Sequence, residues 1–106
     1  MNPYLVIVPT YNEVENIGEL IQKIFSLPLA VAILVVDDNS PDGTAVAVRK
    51  LQSQFNDRLF LEQKKAKEGL GPAYIHGFKW ALQQKVEYII QMDADFSHNP
   101  HALVDF

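Results

Sequence analysis

The residues of this chain best suited to chemistry are two acidic turns. Asp93-Ala94-Asp95 places two carboxylates at i and i+2, a spacing that lets a turn aim both at one point. Like charges about 4 Å apart repel by about 4 kcal/mol at an effective dielectric near 20. A divalent cation reverses that sign, and magnesium or manganese takes one or two carboxylates and completes its shell with phosphate oxygens and water. The alternative is that Asp93 and Asp95 only cap a turn, because an isolated D-x-D is a weak motif. Asp37-Asp38 opens the second turn, Asp37-Asp38-Asn39-Ser40-Pro41-Asp42-Gly43. A carboxylate there is able to accept hydrogen bonds from a nucleobase, yet these are also the residues that any strand-to-helix turn recruits. Tyr11 reads as a rim aromatic or as a lid on a base. Glu13 reads as a favourable charge at a helix N-terminus or as a nucleotide contact.

Gly69-Leu70-Gly71 superficially matches the start of a dinucleotide fingerprint. In that fingerprint a strand runs straight into the first glycine, whereas here Lys64 to Glu68 intervene. The glycines therefore read as a loop that lets a helix begin close to a sheet, and Lys64, Lys65 and Lys67 as a solvated charge run. His76, His98 and His101 lack a spaced third ligand and are assigned to surface or packing. Trp80 reads as packing.

The elements that must position these residues follow from hydrophobic periodicity. Tyr4 to Val8 is a β-branched run stopped by Pro9, and Ala32 to Val36 is a second; both predict strands buried on two faces. Between them, Ile17, Leu20, Ile21, Ile24 and Phe25 keep helical spacing over Glu15 to Ser26, and Leu27-Pro28 ends that helix. A second helix is expected over about Thr44 to Phe55, with Val48, Leu51 and Phe55 on one side. Leu59 to Gln63 is a weaker third strand. A third helix follows over about Pro72 to Gln84, with Tyr74, Phe78, Ala81 and Leu82 on its apolar side. Tyr88 to Met92 is a fourth buried strand, and Asn99-Pro100 has the signature of a new helix start. Strict alternation of strand and helix predicts a Rossmann-like α/β fold, a parallel sheet with helices on both faces. In such sheets ligands bind beyond the carboxyl ends of the strands, where strand order reverses. With order 3-2-1-4 the crevice lies between strands 1 and 4, flanked by Glu13 and the two aspartates.

Composition narrows the function classes. The 106 residues, 48% hydrophobic and 21% charged, suit one domain spanning residues 1–106. A net charge of -4 and a pI near 5.2 argue against a nucleic-acid groove, which needs a Lys/Arg excess. Without cysteines there are no disulfides or thiolate metal sites, and a cytoplasmic setting is the expectation. No apolar run approaches the ~18 residues of a membrane span, and the N-terminus lacks the order of a signal peptide.

Four segments together carry a family likeness: Val8-Pro9-Thr10-Tyr11-Asn12-Glu13, Val36 to Thr44, Gly69-Leu70-Gly71-Pro72-Ala73-Tyr74-Ile75-His76-Gly77 and Met92 to Pro100. The chain resembles the dolichol-phosphate mannosyltransferases, within the inverting family 2 glycosyltransferases of GT-A fold. Ser97-His98 after the acidic turn and the glycine-to-His76 block point to the mannosyl-phosphate branch. The resemblance implies the nucleotide-binding half of a GT-A domain. It implies that Pro9, Tyr11 and Glu13 line the nucleotide pocket, that Val36 and Asp38 hold the guanine-ribose end, and that Asp93, Ala94 and Asp95 meet the diphosphate. Asp93 and Asp95 become the catalytic, metal-linked residues, with Mg2+ or Mn2+ as cofactor. The implied donor is GDP-mannose and the implied acceptor a polyprenyl or dolichyl phosphate, which brings the enzyme to the cytoplasmic face of a membrane.

Three other readings remain open on the residues. One is a family 2 polyprenyl-phosphate transferase with a different nucleotide sugar. Another is a magnesium phosphatase of haloacid dehalogenase type, whose D-x-D-x-[ST] motif matches Asp93 to Ser97, although that motif normally follows the first strand of its domain. The third is a non-catalytic nucleotide-binding module. Family catalytic domains run well past residue 106, so the chain is expected to lack the acceptor-side basic loop and to bind nucleotide more readily than it turns over.

Overall fold

The computed structural model describes residues 3–94. Its order is β1 (Tyr4–Thr10), α1 (Ile17–Phe25), β2 (Val31–Asp37), α2 (Thr44–Gln52), β3 (Leu59–Gln63), α3 (Leu70–Leu82) and β4 (Tyr88–Gln91). The four strands form one sheet in the order β3-β2-β1-β4, and every pairing is parallel.

The continuous apolar runs of β1 and β2 are explained by what covers them. Val6 and Val8 of β1, with Val31, Ile33 and Val35 of β2, pack under Ile17, Leu20, Ile21 and Ile24 of α1 and Val48 of α2. The alternate residues Leu5, Ile7, Ala32, Leu34 and Val36 face α3. With both faces buried there is no polar alternation to see. Each fully buried Leu, Ile or Val contributes roughly 1.5–3 kcal/mol relative to an exposed one, so this central pair anchors the fold.

β1 does not stop at Pro9, as its sequence suggests, but runs through it to Thr10, with Pro9 opposite Val36. Met92 N–H donates to Ile7 C=O, and Asp38 N–H donates to Thr10 C=O. Residues 7 and 9 therefore face β4, and residue 10 faces β2. The β1–β4 ladder ends at Ile7 opposite Gln91, so Pro9 sits where no donor is required.

Two other expectations are corrected. Of the expected apolar side of α3, Ala81 does meet the sheet, in a small-residue line with Ala73 and Gly77, whereas Leu82 is 81% exposed. A Cβ on Gly77 would lie 2.8 Å from Ile7 Cγ2, so the glycine lets the helix backbone settle against β1. Tyr74 and Phe78 only flank that contact. The fourth strand, at an edge of the sheet, is also not buried on both faces: Tyr88 and Ile89, which point to opposite faces, are both exposed. Its start is secured by a stacked pair, Tyr4 and Tyr88, with ring centroids 5.2 Å apart. The expected helix start at Asn99-Pro100 lies outside the described residues. No helix among the described residues is long and apolar enough to cross a membrane.

Candidate functional site

The chain advances from β1 outwards to β3 with α1 and α2 on one face, then returns over the other face through α3 to place β4 on the far side of β1. The reversal of strand order falls between β1 and β4, and a cavity of about 300 Å³ opens at their carboxyl ends. Pro9, Thr10, Tyr11 and Glu13 form the wall from β1, Asp38 that from β2, and Asp93 and Ala94 that from β4. Lys67, Gly69, Leu70 and Ala73 close the side towards α3.

The loop after β1 takes its shape from the turn after β2. Asn12 N–H donates to Ser40 Oγ at 2.9 Å, Glu13 N–H to Thr44 Oγ1 at 3.1 Å, and Val14 N–H to Asp42 Oδ2 at 3.2 Å. Three successive backbone donors thus meet three side-chain acceptors spaced two apart. Asn12 and Asn39 adopt positive φ of 55° and 65°, a conformation that asparagine tolerates better than most residues. Glu13 C=O in turn accepts from Asn16 and Ile17 N–H, which starts α1 and leaves the Glu13 side chain at the cavity. Burial opposes ionisation of Asp42, but hydrogen bonds from Thr44 Oγ1 and from the N–H groups of Val14 and Thr44 outweigh it and hold the carboxyl below the usual aspartate range.

The two aspartates of the second turn do different things. Asp37 is fully buried and accepts from Thr10 Oγ1 at 2.7 Å, Ser40 N–H at 2.9 Å and Ser40 Oγ at 2.6 Å. It locks its own turn. Asp38 reaches across to the loop between β3 and α3, where it accepts from Glu68 N–H at 2.9 Å and from Gly69 N–H at 2.8 Å. Gly69 has φ of 101°, a backbone state that penalises any side chain.

Lys64 contradicts the solvated reading of its charge run. It is 8% exposed, with its ammonium 2.8 Å from Glu68 Oε1 and 3.8 Å from Asp38 Oδ1. Lys64 thus ties the loop to the β2 turn, and in the same loop Lys67 Nζ lies 4.0 Å from the centroid of the Tyr11 ring, at the cavity. Tyr11 is therefore a partner of Lys67 as well as a wall residue.

Asp93 accepts a hydrogen bond from Tyr74 O–H at 3.0 Å. Burial, and then the Asp93 carboxylate itself, push the Tyr74 phenol well above its ordinary range, so it serves as a donor.

Of the residues singled out from the sequence, Pro9, Tyr11, Glu13, Asp38, Asp93 and Ala94 come together at the cavity. Val36 does not reach the wall. It is fully buried in the layer beneath α3 and supports the floor from behind. Asp95 lies outside the described residues, as do Ser97, His98 and His101. Among the described residues, no three His, Cys, Asp or Glu side chains gather into a metal-holding group. Thr10, Lys67, Leu70 and Ala73 join the site without having been singled out. For Lys67 a signal existed, since it precedes Gly69 by two residues in a loop that the strand order brings to the crevice. His76 fits its surface assignment, half-exposed beside Glu62 at 3.1 Å. Trp80 packs on Phe60, with ring centroids 5.1 Å apart.

Comparison with known proteins agrees with this geometry. Over 99 residues the chain is 43% identical to the polyprenol monophosphomannose synthase of Mycolicibacterium smegmatis, a match covering 93% of the chain and 37% of that protein. It is 37% identical over 99 residues to the undecaprenyl-phosphate mannosyltransferase of Micrococcus luteus, covering 93% of the chain and 40% of the relative. The chain thus spans about two fifths of the length of these curated relatives. Among solved structures, the mannosyltransferase PcManGT from Pyrobaculum calidifontis, in complex with GDP-Man and Mn2+, superposes with a TM-score of 0.79 at 31% identity. That match covers 89% of this chain and 28% of the other. The sheet is of the GT-A type, and the phosphatase reading, whose motif follows a first strand rather than a fourth, falls away. Residues 5–105 match glycosyl transferase family 2, and the chain belongs to that family.

Proposed function

We propose that the chain is the donor-binding part of a metal-dependent, inverting transferase that moves mannose from GDP-mannose to a polyprenyl or dolichyl phosphate. The observation that carries this reading is the cavity at the reversal of strand order, where the Asp93 carboxylate, the Tyr11 ring and the Lys67 ammonium converge. The names of the two relatives support the mannosyl and polyprenyl parts, and the GDP-Man and Mn2+ in the related structure support the donor and the metal.

The residues present suit the donor. Carboxylate oxygens are the ligands a hard cation takes, and Asp93, on the wall, and Asp95 are assigned to hold Mg2+ or Mn2+. When bound, the cation offsets the charge of the departing diphosphate. Lys67 and the N-terminal end of α3, which begins at the cavity with Leu70, bring further positive potential to the phosphates. Asp38 acts on the base end through the 68–69 backbone it holds, and Pro9, Tyr11 and Glu13 shape the opposite wall. In the reaction, an oxygen of the acceptor phosphate forms a new bond to the anomeric carbon from the face opposite GDP. The bond to the β-phosphate oxygen breaks, and its electron pair leaves with GDP. The acceptor is already an anion, so no general base is needed. The membrane enters through the lipid tail of the acceptor, at the cytoplasmic face.

Calorimetric titration of GDP, UDP and GDP-mannose with and without Mn2+ tests the reading. GDP and GDP-mannose are expected to bind more tightly than UDP, and to gain affinity with Mn2+. A preference for UDP would transfer the chain to family 2 enzymes with another nucleotide sugar.

A further inference from the structure

Tyr74 stands on the second turn of α3 and does not itself line the cavity, yet its hydroxyl donates to Oδ1 of Asp93, which does. Three features set that reach. The line of Ala73, Gly77 and Ala81 brings the α3 backbone down on Ile7 and Val36, closer than a helix with larger residues on this face would come. The Tyr74 ring lies against Phe78, with centroids 6.4 Å apart, which limits its swing. The turn that carries Asp93 follows β4, a strand supported by β1 alone among the described residues and exposed at Tyr88 and Ile89. Tyr74 is thus a cross-link from a tightly docked helix to the acidic turn that follows an edge strand.

The geometry points to Tyr74 as the positioning residue of the cation-linked carboxylate. Its O–H fixes the rotation of the Asp93 side chain, so that the carboxylate is presented to the cavity in one orientation before donor and cation arrive. Preorganisation of this kind lowers the ordering cost of binding. The role rests on the reading of Asp93 proposed above. A purely structural Tyr74 would contribute only its ring, which phenylalanine supplies equally well.

The test is titration of GDP into wild-type protein, Tyr74→Phe, Asp93→Asn and the double variant, each with saturating Mn2+ and with EDTA, alongside thermal melts. Tyr74→Phe is expected to lose roughly tenfold in affinity with Mn2+, the scale of one hydrogen bond to a charged group, with its EDTA affinity and melting midpoint unchanged. In the Asp93→Asn background, Tyr74→Phe is expected to have no further effect on binding, because the two act through one contact. Retention of the full Mn2+ gain by Tyr74→Phe would overturn the role. So would an equal loss with Mn2+ and EDTA, or additive effects in the double variant. A wild-type protein with no Mn2+ gain would bring down the cation reading itself, and this role with it, before any variant is compared.

Discussion

In the turn after β2, Asp37 and Asp38 are 0% and 4% exposed, and each of their four carboxylate oxygens accepts a hydrogen bond from the chain. In the turn after β4, Asp93 is half-buried on the cavity wall, with Tyr74 O–H on one oxygen. The two turns look alike in sequence, since both place acidic residues at a strand end before a polar stretch. The first spends its charge inside the protein, shaping the loops that form the site, whereas the second presents charge to the cavity. Such aspartates are therefore told apart by their burial rather than by their spacing. A carboxylate that orders loops is closed off inside the protein, whereas one that binds a ligand stands where the ligand reaches it.

This contrast is most sharply broken by substituting the inward-facing carboxylate. Asp38→Ala leaves the Glu68 and Gly69 N–H groups without their acceptor and takes from buried Lys64 one of its two carboxylate neighbours, and is expected to destabilise the protein by about 3 kcal/mol, as removal of one partner of a buried charge network does. A urea midpoint shift of that size, with weaker GDP binding both with and without Mn2+, is the expected pattern. An unshifted midpoint would mean that the loop does not depend on Asp38.

Gly77→Ala is the next largest. The added methyl collides with Ile7 Cγ2, an overpacking cost of about 1–3 kcal/mol, partly offset by the roughly 1 kcal/mol better helix propensity of alanine. A net loss of about 1 kcal/mol in urea unfolding is expected, together with a loosened Mn2+ response as α3 carries Tyr74 away from Asp93.

Lys67→Met should leave stability unchanged and lower GDP affinity several-fold, by up to about 1 kcal/mol, the size of a solvent-screened charge contact. The difference from wild type should fade as salt rises. A loss independent of salt would assign Lys67 a packing role on Tyr11 instead.

The smallest effect concerns Asp42, whose folded-state carboxyl titrates below its unfolded value. Its stabilising contribution is complete above the unfolded value and is lost as pH falls through the folded one. The urea-midpoint gap between wild type and Asp42→Asn should therefore be present at pH 7 and shrink as the solution is acidified below pH 4. A gap that holds constant would remove the ionic part of that contact.

Much of the framework was legible in the sequence. The β-branched runs of β1 and β2 announced strands covered on both faces, and strict alternation with the expected order 3-2-1-4 placed the crevice correctly between β1 and β4. What stayed hidden depended on partners distant in the chain. Lys64 looked solvated because Glu68, four residues on, is an ordinary surface partner, and nothing local reveals that Asp38 of another strand's turn lies beside the pair. Ser40, Asp42 and Thr44 looked like ordinary turn residues because the donors they satisfy belong to residues 12–14. Only Ala81 of the α3 packing line was legible, because small residues such as Ala73 and Gly77 carry little weight in a hydrophobic pattern, and the larger Tyr74, Phe78 and Leu82 drew the helix face round. Val36 shows the reverse case: it lies in a motif rich in site residues, but strand alternation turns its side chain into the core.

On this reading the cation is linked to the site through Asp93, in the turn that follows β4, and not through the acidic pair of the β2 turn. The most direct measurement is the Mn2+ dependence of GDP affinity in Asp93→Asn beside wild type. A clear Mn2+ gain is expected in the wild-type protein, and equal affinity with Mn2+ and with EDTA in the variant, at unchanged stability. An Asp93→Asn protein that keeps the whole Mn2+ gain would contradict it.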